Sequence, residues 1–378
     1  MKVRCIISLM ASVAALASCK VHTAAPRPTI ALVRQIVADT ENPYNSLLGA
    51  FTPSAKEGAL YVLGEPDGVA ALSEALVSAD VFDNATGAGV PDGLPDFSGE
   101  SVNGVMDEFG SPYSALLSLD DGTSMRELCV KEALSAMDTA CFLSPYDRDG
   151  GLYKAPAKMI ILSSSYMAAY GQFDLDTLFF QKGCSLSVLS PLQCMLDEIF
   201  GEASGSIGVG VLAGRETLSS GIYSSQFAYY RHRYGMASST CTVLSRRDSC
   251  DVIAAFFDDY ISAGSVNKLD YLIVDEYGQD VDSLYKRASF LTSVMNPESL
   301  KYRNYISDDL KILVPEKSLV SRCYREMRSR GLFSFRIEHP RTEPYMTVAS
   351  PHDSLSFMLI PFSSRYASDK TNRFYVQD

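Results

Sequence analysis

The chain has 378 residues, 47% of them apolar, and its 45 acidic against 33 basic side chains give a formal net charge of -12. That length supports two domains of ordinary size, and the apolar fraction excludes a disordered chain. The acidic balance, without Lys and Arg gathered on one face, gives no footing for a nucleic-acid partner.

The first eighteen residues carry Lys2 and Arg4, then an apolar run over residues 5–16, then Leu16-Ala17-Ser18-Cys19. The run is short for a membrane span and ends in small residues, the pattern of a cleaved export signal. Leu-Ala-Ser-Cys resembles the lipobox of bacterial lipoproteins. The resemblance implies cleavage before Cys19, lipid on that cysteine, and a body held at the bacterial cell envelope, periplasmic or surface-exposed. Loss of Lys2 and Arg4 with the signal takes the formal charge to -14. Residues 19–57 read as a lipidated tether with a short helix over 30–37.

Residues 59–64 predict a strand, and 69–79 a helix. Residues 81–102 are rich in Gly, Pro and acids, so Asp92, Asp96 and Glu100 do not share a helical face. They read first as a surface loop and second as metal or acid–base ligands; Asp92 is kept as a site residue because long loops are often functional. Asp147-Arg148-Asp149-Gly150 matches a calcium loop only in part, with Lys158 where the closing carboxylate belongs. Ser124 to Glu127 spell a capping box ahead of a core-facing helix.

Residues 159–162 predict a strand ending in Ser163-Ser164-Ser165-Tyr166. Ligands bind at the C-terminal edge of parallel sheets, so Ser163, Ser164 and Tyr166 are site residues; capping of the next helix is the other reading. A helix over 174–182, a strand over 186–189 and a helix to Phe200 continue the alternation. Residues 202–205 are small and mark a lobe boundary. The second lobe opens on a strand over 207–212, followed by Thr217, Ser219, Ser220 and a helix carrying Tyr223, a predicted anion-binding helix start. Strands over 240–244 and 269–274 follow; Ser249 is placed to cap the helix between them, and Asp275 and Glu276 stand at the end of the last strand. A helix over 318–330 and strands over 333–337, 345–349 and 355–360 form a C-terminal extension.

The fold class is therefore α/β: two consecutive Rossmann-like lobes with mainly parallel sheets, over 58–203 and 204–378, and a C-terminal α+β extension. Ala213 to Thr217, Ser220-Gly221 and Tyr223 resemble the loop after a strand in aspartate/glutamate racemases, which implies a carboxylate-holding role for Thr217, Ser220 and Tyr223. Those enzymes use two cysteines; the matching strand ends here offer Ser163 to Ser165 and Asp275-Glu276. Two α/β lobes on an exported chain also resemble type I periplasmic solute-binding proteins.

Beyond Cys5 and Cys19 the chain has Cys129, Cys141, Cys184, Cys194, Cys241, Cys250 and Cys323, an odd number without C-x-x-C. No metal and no cofactor is expected: zinc spacing, a P-loop and G-x-S-x-G are absent. Most of these cysteines read as buried hydrophobes, and Cys241 with Cys250 is the first pair to test for a disulfide. The function expected is binding of a small polar or anionic solute in an interlobe cleft by Ser163, Ser164, Tyr166, Thr217, Ser219, Ser220 and Tyr223, with Asp275 facing a cationic or hydroxyl group. The alternatives are a hydrolase or isomerase using Asp92, Asp275 or Glu276, and a structural surface lipoprotein.

Overall fold

The computed structural model describes residues 27–147, 151–247, 249–334, 336–351, 353 and 356–364. The expected export signal, Cys19 and the start of the tether lie outside the described residues, as do Arg148 to Gly150 of the partial calcium pattern and Leu355 at the start of the last expected strand.

The chain makes two α/β lobes with mainly parallel sheets. Helices α1 (Ala31–Ala38) and α2 (Pro43–Ala50) come first. They are part of the first lobe: Val33, Ile36 and Leu48 are buried, and the Ile30 N–H donates to Asp174 at 3.2 Å. Much of the expected tether is therefore core, because its apolar residues recur at helical spacing. Next come β1 (Ala59–Gly64), α3 (Pro66–Ser78), β2 (Ser101–Met106), α4 (Tyr113–Leu117), α5 (Thr123–Met137), β3 (Ala140–Cys141), β4 (Leu152–Tyr153), β5 (Ala157–Leu162), α6 (Ser165–Tyr170), α7 (Gln172–Lys182), β6 (Ser187–Leu189) and α8 (Pro191–Glu202).

The second lobe holds β7 (Gly208–Ala213), α9 (Arg215–Ser220), α10 (Ile222–Arg233), β8 (Thr240–Ser245), α11 (Val252–Ser262), β9 (Leu269–Val274), α12 (Val281–Thr292), α13 (Ser299–Arg303) and β10 (Ile306–Leu313). Its sheet runs β10-β9-β7-β8, all parallel. Then α14 (Pro315–Arg330), β11 (Arg341–Ala349) and β12 (Phe357–Pro361) return to the first lobe. The first sheet is β12-β11-β2-β1-β5-β6, antiparallel only at β11–β12. Residues 204–378 thus do not form one unit: the C-terminal extension completes the first sheet, since Leu319, Cys323 and Met327 of α14 are needed to cover Leu60, Val62 and Ile161.

Strands β1, β5 and β7 are buried throughout, as expected for sheets covered on both faces. One apolar cluster of the described residues spans the boundary. It joins Leu192, Leu196, Ile199 and Phe200 of α8 and Tyr166 and Met167 of α6 to Val209, Val211, Ile222, Tyr223 and Phe227 of the second lobe. The lobes are packed on a common core.

Several local readings are corrected. Residues 333–334 and 336–337 form no strand, because the Ser334 N–H donates to Glu100 Oε1 at 2.7 Å and Ile337 is fully exposed. The Ser124 hydroxyl does not cap α5; Ser124 donates through its N–H and Oγ to Asp120. Asp251, not Ser249, caps α11 by accepting from the Ala254 N–H at 3.1 Å. All seven cysteines of the described residues are free, and Cys241 packs against the shared core while Cys250 is exposed. No helix of the described residues is long and apolar enough to cross a membrane.

Candidate functional site

The C-terminal ends of β1, β5 and β9 meet between the lobes, with α9 beside them. They enclose a cavity of about 410 Å³ lined by Glu65, Pro66, Asp67, Gly68, Ser111, Ser163, Ser164, Ser165, Tyr166, Thr217, Asp275 and Tyr277. This is the edge at which open parallel sheets hold ligands. Two glycines make the approach of the strands possible. A Cβ on Gly64, whose φ is +144°, would lie 2.2 Å from Ser163 Oγ; one on Gly68 would lie 3.1 Å from the same atom and 3.2 Å from the Tyr277 ring.

Asp275 and Glu65 both line this cavity. The Ser165 hydroxyl lies 3.4 Å from each carboxyl oxygen of Asp275. The buried Tyr223 hydroxyl faces the same carboxyl without completing a hydrogen bond of normal geometry. Desolvation pushes the Asp275 carboxyl up to about 6, with the Tyr223 and Ser165 hydroxyls and the Glu276 charge as smaller influences. Burial also raises Glu65, against the pull of the Tyr113 N–H that donates to Oε1 at 3.1 Å. Tyr277 crosses the boundary, its hydroxyl donating to the Ser163 carbonyl.

Of the residues expected at the site, Ser163, Ser164, Tyr166, Thr217 and Asp275 share this cavity. Ser164 also caps α6, accepting from the Tyr166 N–H at 3.1 Å, so both readings of that serine hold geometrically. Ser163 Oγ is buried without a hydrogen-bond partner among the described residues, and the buried Tyr166 hydroxyl faces Thr217 without completing a hydrogen bond of normal geometry. Tyr223 lies beneath, 1% exposed. Ser219 and Ser220 are turned away: their hydroxyls donate to the Glu216 and Thr217 carbonyls at 2.9 and 2.7 Å. The expected anion-binding helix start is also changed, because Gly221 takes a left-handed conformation and splits the segment into the six-residue α9 and α10. Ser219→Ala with Ser220→Ala is expected to change thermal stability by no more than about 0.5 kcal/mol and to leave ligand affinity untouched, measured by calorimetry.

Glu276 is not among the lining residues; it pairs with Arg246 and accepts from Gln279 at 3.2 Å. Asp92 belongs to the loop at the other edge of the sheet. It accepts from the Asn84 and Leu94 N–H groups at 2.9 and 3.0 Å, which fixes the loop. Asp96 does the same for Val81 and Phe82, and Glu100 pairs with Lys158. The sequence reading missed Glu65 and Asp67, and placed Ser165 and Tyr277 at strand ends without assigning them to the site. The signal was present: Glu65-Pro66-Asp67-Gly68 follows an apolar strand just as Ser163 does.

The loop that carries Ser111 is held by a buried group of acids. Asp107 accepts from the Phe109 and Gly110 N–H groups at 3.0 Å and from the Thr347 hydroxyl at 2.5 Å. Glu132, on the core face of α5, is buried beside Asp107 without completing a hydrogen bond of normal geometry, and burial followed by the Asp107 charge pushes it well above the carboxylate range. A group raised this way makes the folded state bind the extra proton, so stability falls as pH climbs toward its folded value. Glu132→Gln is therefore expected to stabilise the chain at alkaline pH by about 1–3 kcal/mol while changing little in acid, read by urea unfolding at both ends.

No family model matches this chain, and no curated protein matches it. Its fold is similar to solved glutamate racemases. The enzyme of Francisella tularensis subsp. tularensis SCHU S4, in complex with D-glutamate, superposes with a TM-score of 0.45 at 14% identity, covering 77% of this chain and 89% of that one. An isoform from Bacillus anthracis gives 0.44 at 13%, covering 78% and 90%, and the Campylobacter jejuni subsp. jejuni enzyme 0.39 at 13%, covering 84% and 97%. At these levels the likeness concerns the fold alone, and among the described residues no cysteine lines the cleft of this chain.

Proposed function

We propose that this chain binds a small polar molecule in the interlobe cleft and acts on it by acid–base chemistry, as an isomerase or hydrolase, with Asp275 as the proton-transferring group. The observation that carries this is the setting of Asp275: a desolvated carboxyl in a cavity wall, flanked by the Ser165 and Tyr223 hydroxyls and raised to about 6. A carboxyl in that range holds and releases a proton near neutral pH, which an ordinary surface aspartate does not. Glu65 lines the same cleft as a second raised carboxyl, so two carboxyls are present there for acid and base steps.

The shared core favours a site of fixed shape over lobes that open and close. Its test is incubation with panels of small hydroxy, amino and ester compounds in heavy water, followed by mass spectrometry. Deuterium uptake or hydrolysis by the native chain, lost in Asp275→Asn, is the expected result; a turnover that survives Asp275→Asn contradicts the assignment.

Ligand binding without turnover is the second reading, favoured by the buried Ser163 Oγ that has no partner among the described residues. It predicts thermal stabilisation by a compound that is recovered unchanged. The reading as a structural lipoprotein draws no support from an open cavity of this size. Export and lipidation at Cys19 belong to the same proposal; they rest on the Leu-Ala-Ser-Cys motif, and Cys19→Ser is expected to abolish incorporation of a labelled fatty acid.

A further inference from the structure

The cleft is charged on one side of the ledger only. Glu65, Asp67 and Asp275 line it, and among the described residues no Lys, Arg or His does. The charged neighbours acting on Glu65 are Asp107, Glu216 and Asp67, all acidic. Arg246, the basic residue just after β8, is taken by Glu276. The start of α3 beneath Glu65 and Asp67 offsets their charge in part, through its free N–H groups, but supplies no cation.

A second observation shows that the acids face a site. Ser163 and Tyr166 line the same cavity and are only 2% and 8% exposed. Ser163 Oγ is buried without a hydrogen-bond partner among the described residues, and the Tyr166 hydroxyl faces Thr217 without completing a hydrogen bond of normal geometry. Buried hydroxyls are normally satisfied, so an unpartnered Ser163 Oγ on the cavity wall points to a ligand atom beside it. Gly64 and Gly68 leave Ser163 Oγ the room to be reached.

We propose that the ligand of this cleft carries a protonated amine, received by Glu65, Asp67 and Asp275, next to a hydroxyl or carbonyl that meets Ser163 and Tyr166. This rests on the reading of the cleft as the functional site. A carboxylate or phosphate placed there would face three acids with no compensating cation, an arrangement that suppresses binding. An amine N–H set satisfies those acids and is held in the correct charge state by them. A cavity of about 410 Å³ fits a small metabolite and not a polymer.

The test is calorimetric titration of the full chain at neutral pH and low salt with 1,4-diaminobutane, ethanolamine and lysine, against 1,4-butanediol and succinate as neutral and anionic counterparts. At least one amine probe is expected to bind, succinate is not, and Asp67→Asn is expected to weaken the amine about tenfold. Asp67 is exposed in the first turn of α3, so that variant is expected to fold normally. Glu65→Gln, with unfolding measured alongside, gives the second variant. Binding of succinate or the diol in place of the amines, or of no amine probe at all, overturns the charge assignment. Asp275→Asn turnover then decides separately whether the cleft is still the site. Amine binding that is unchanged in both Asp67→Asn and Asp275→Asn overturns the inference by placing the amine elsewhere.

Discussion

Asp275→Asn is expected to lower turnover on the order of 10²–10⁴-fold while making the folded chain more stable at neutral pH. The two effects have one cause. Folding desolvates the carboxyl and lifts it to about 6, so between its unfolded value and that point the native state holds a proton the unfolded state has released. Stability therefore falls as pH rises through this window and stays low above it. Asn keeps the shape, removes the ionisation, and is expected to recover up to about 3 kcal/mol at neutral pH, with the gain vanishing in acid. Thermal unfolding across the acid range, with turnover measured on the same samples, checks both halves. A carboxyl that merely supports structure would lose stability on the same replacement.

Lys158→Met is expected to cost about 3–5 kcal/mol, the largest stability loss foreseen for one side chain. Lys158 and Glu100 are 0% and 1% exposed and form an ion pair at the base of the first sheet. Lys158 also donates to the Leu332 carbonyl at 3.0 Å and the Ala55 carbonyl at 3.2 Å, while Glu100 Oε1 accepts from the Ser334 N–H at 2.7 Å. One pair thus ties β5, the acidic loop and the segment that brings β11 back to the sheet. Removing the cation leaves Glu100 charged and buried; the further change Glu100→Gln is expected to restore much of the loss. Urea unfolding of the two variants measures the cycle, and hydrogen exchange is expected to show β11 amides opening earlier in Lys158→Met.

The alternation of strands and helices was legible because β1, β5, β7 and β9 are buried on both faces and read as apolar runs. Strand β2 was not, since Asn103 and Gly104 interrupt it; Gly104 is there because α3 comes so close that a Cβ would lie 2.8 Å from Val69. Strand β10 is an edge strand whose Asp308, Asp309 and Lys311 conceal the pattern. The return of α14, β11 and β12 to the first lobe is a choice of partner surface, and no local pattern encodes it. At the site, hydroxyls at strand ends led to Ser163, Tyr166 and Thr217. Ser219 and Ser220 looked equivalent in sequence, yet the short helix turns their hydroxyls onto its own carbonyls. The acidic character of the cleft was hidden because Glu65 and Asp67 follow one strand and Asp275 another, far apart in the chain.

Whether Asp275 is a raised carboxyl in a ligand site is read directly by carbon-13 NMR of labelled aspartate. The resonance absent from Asp275→Asn identifies the group, and a pH titration is followed with and without the amine probe that binds best. The expected result is a midpoint near 6 that moves to lower pH when the amine is bound. A resonance that titrates with the exposed carboxylates and ignores the amine would contradict the account.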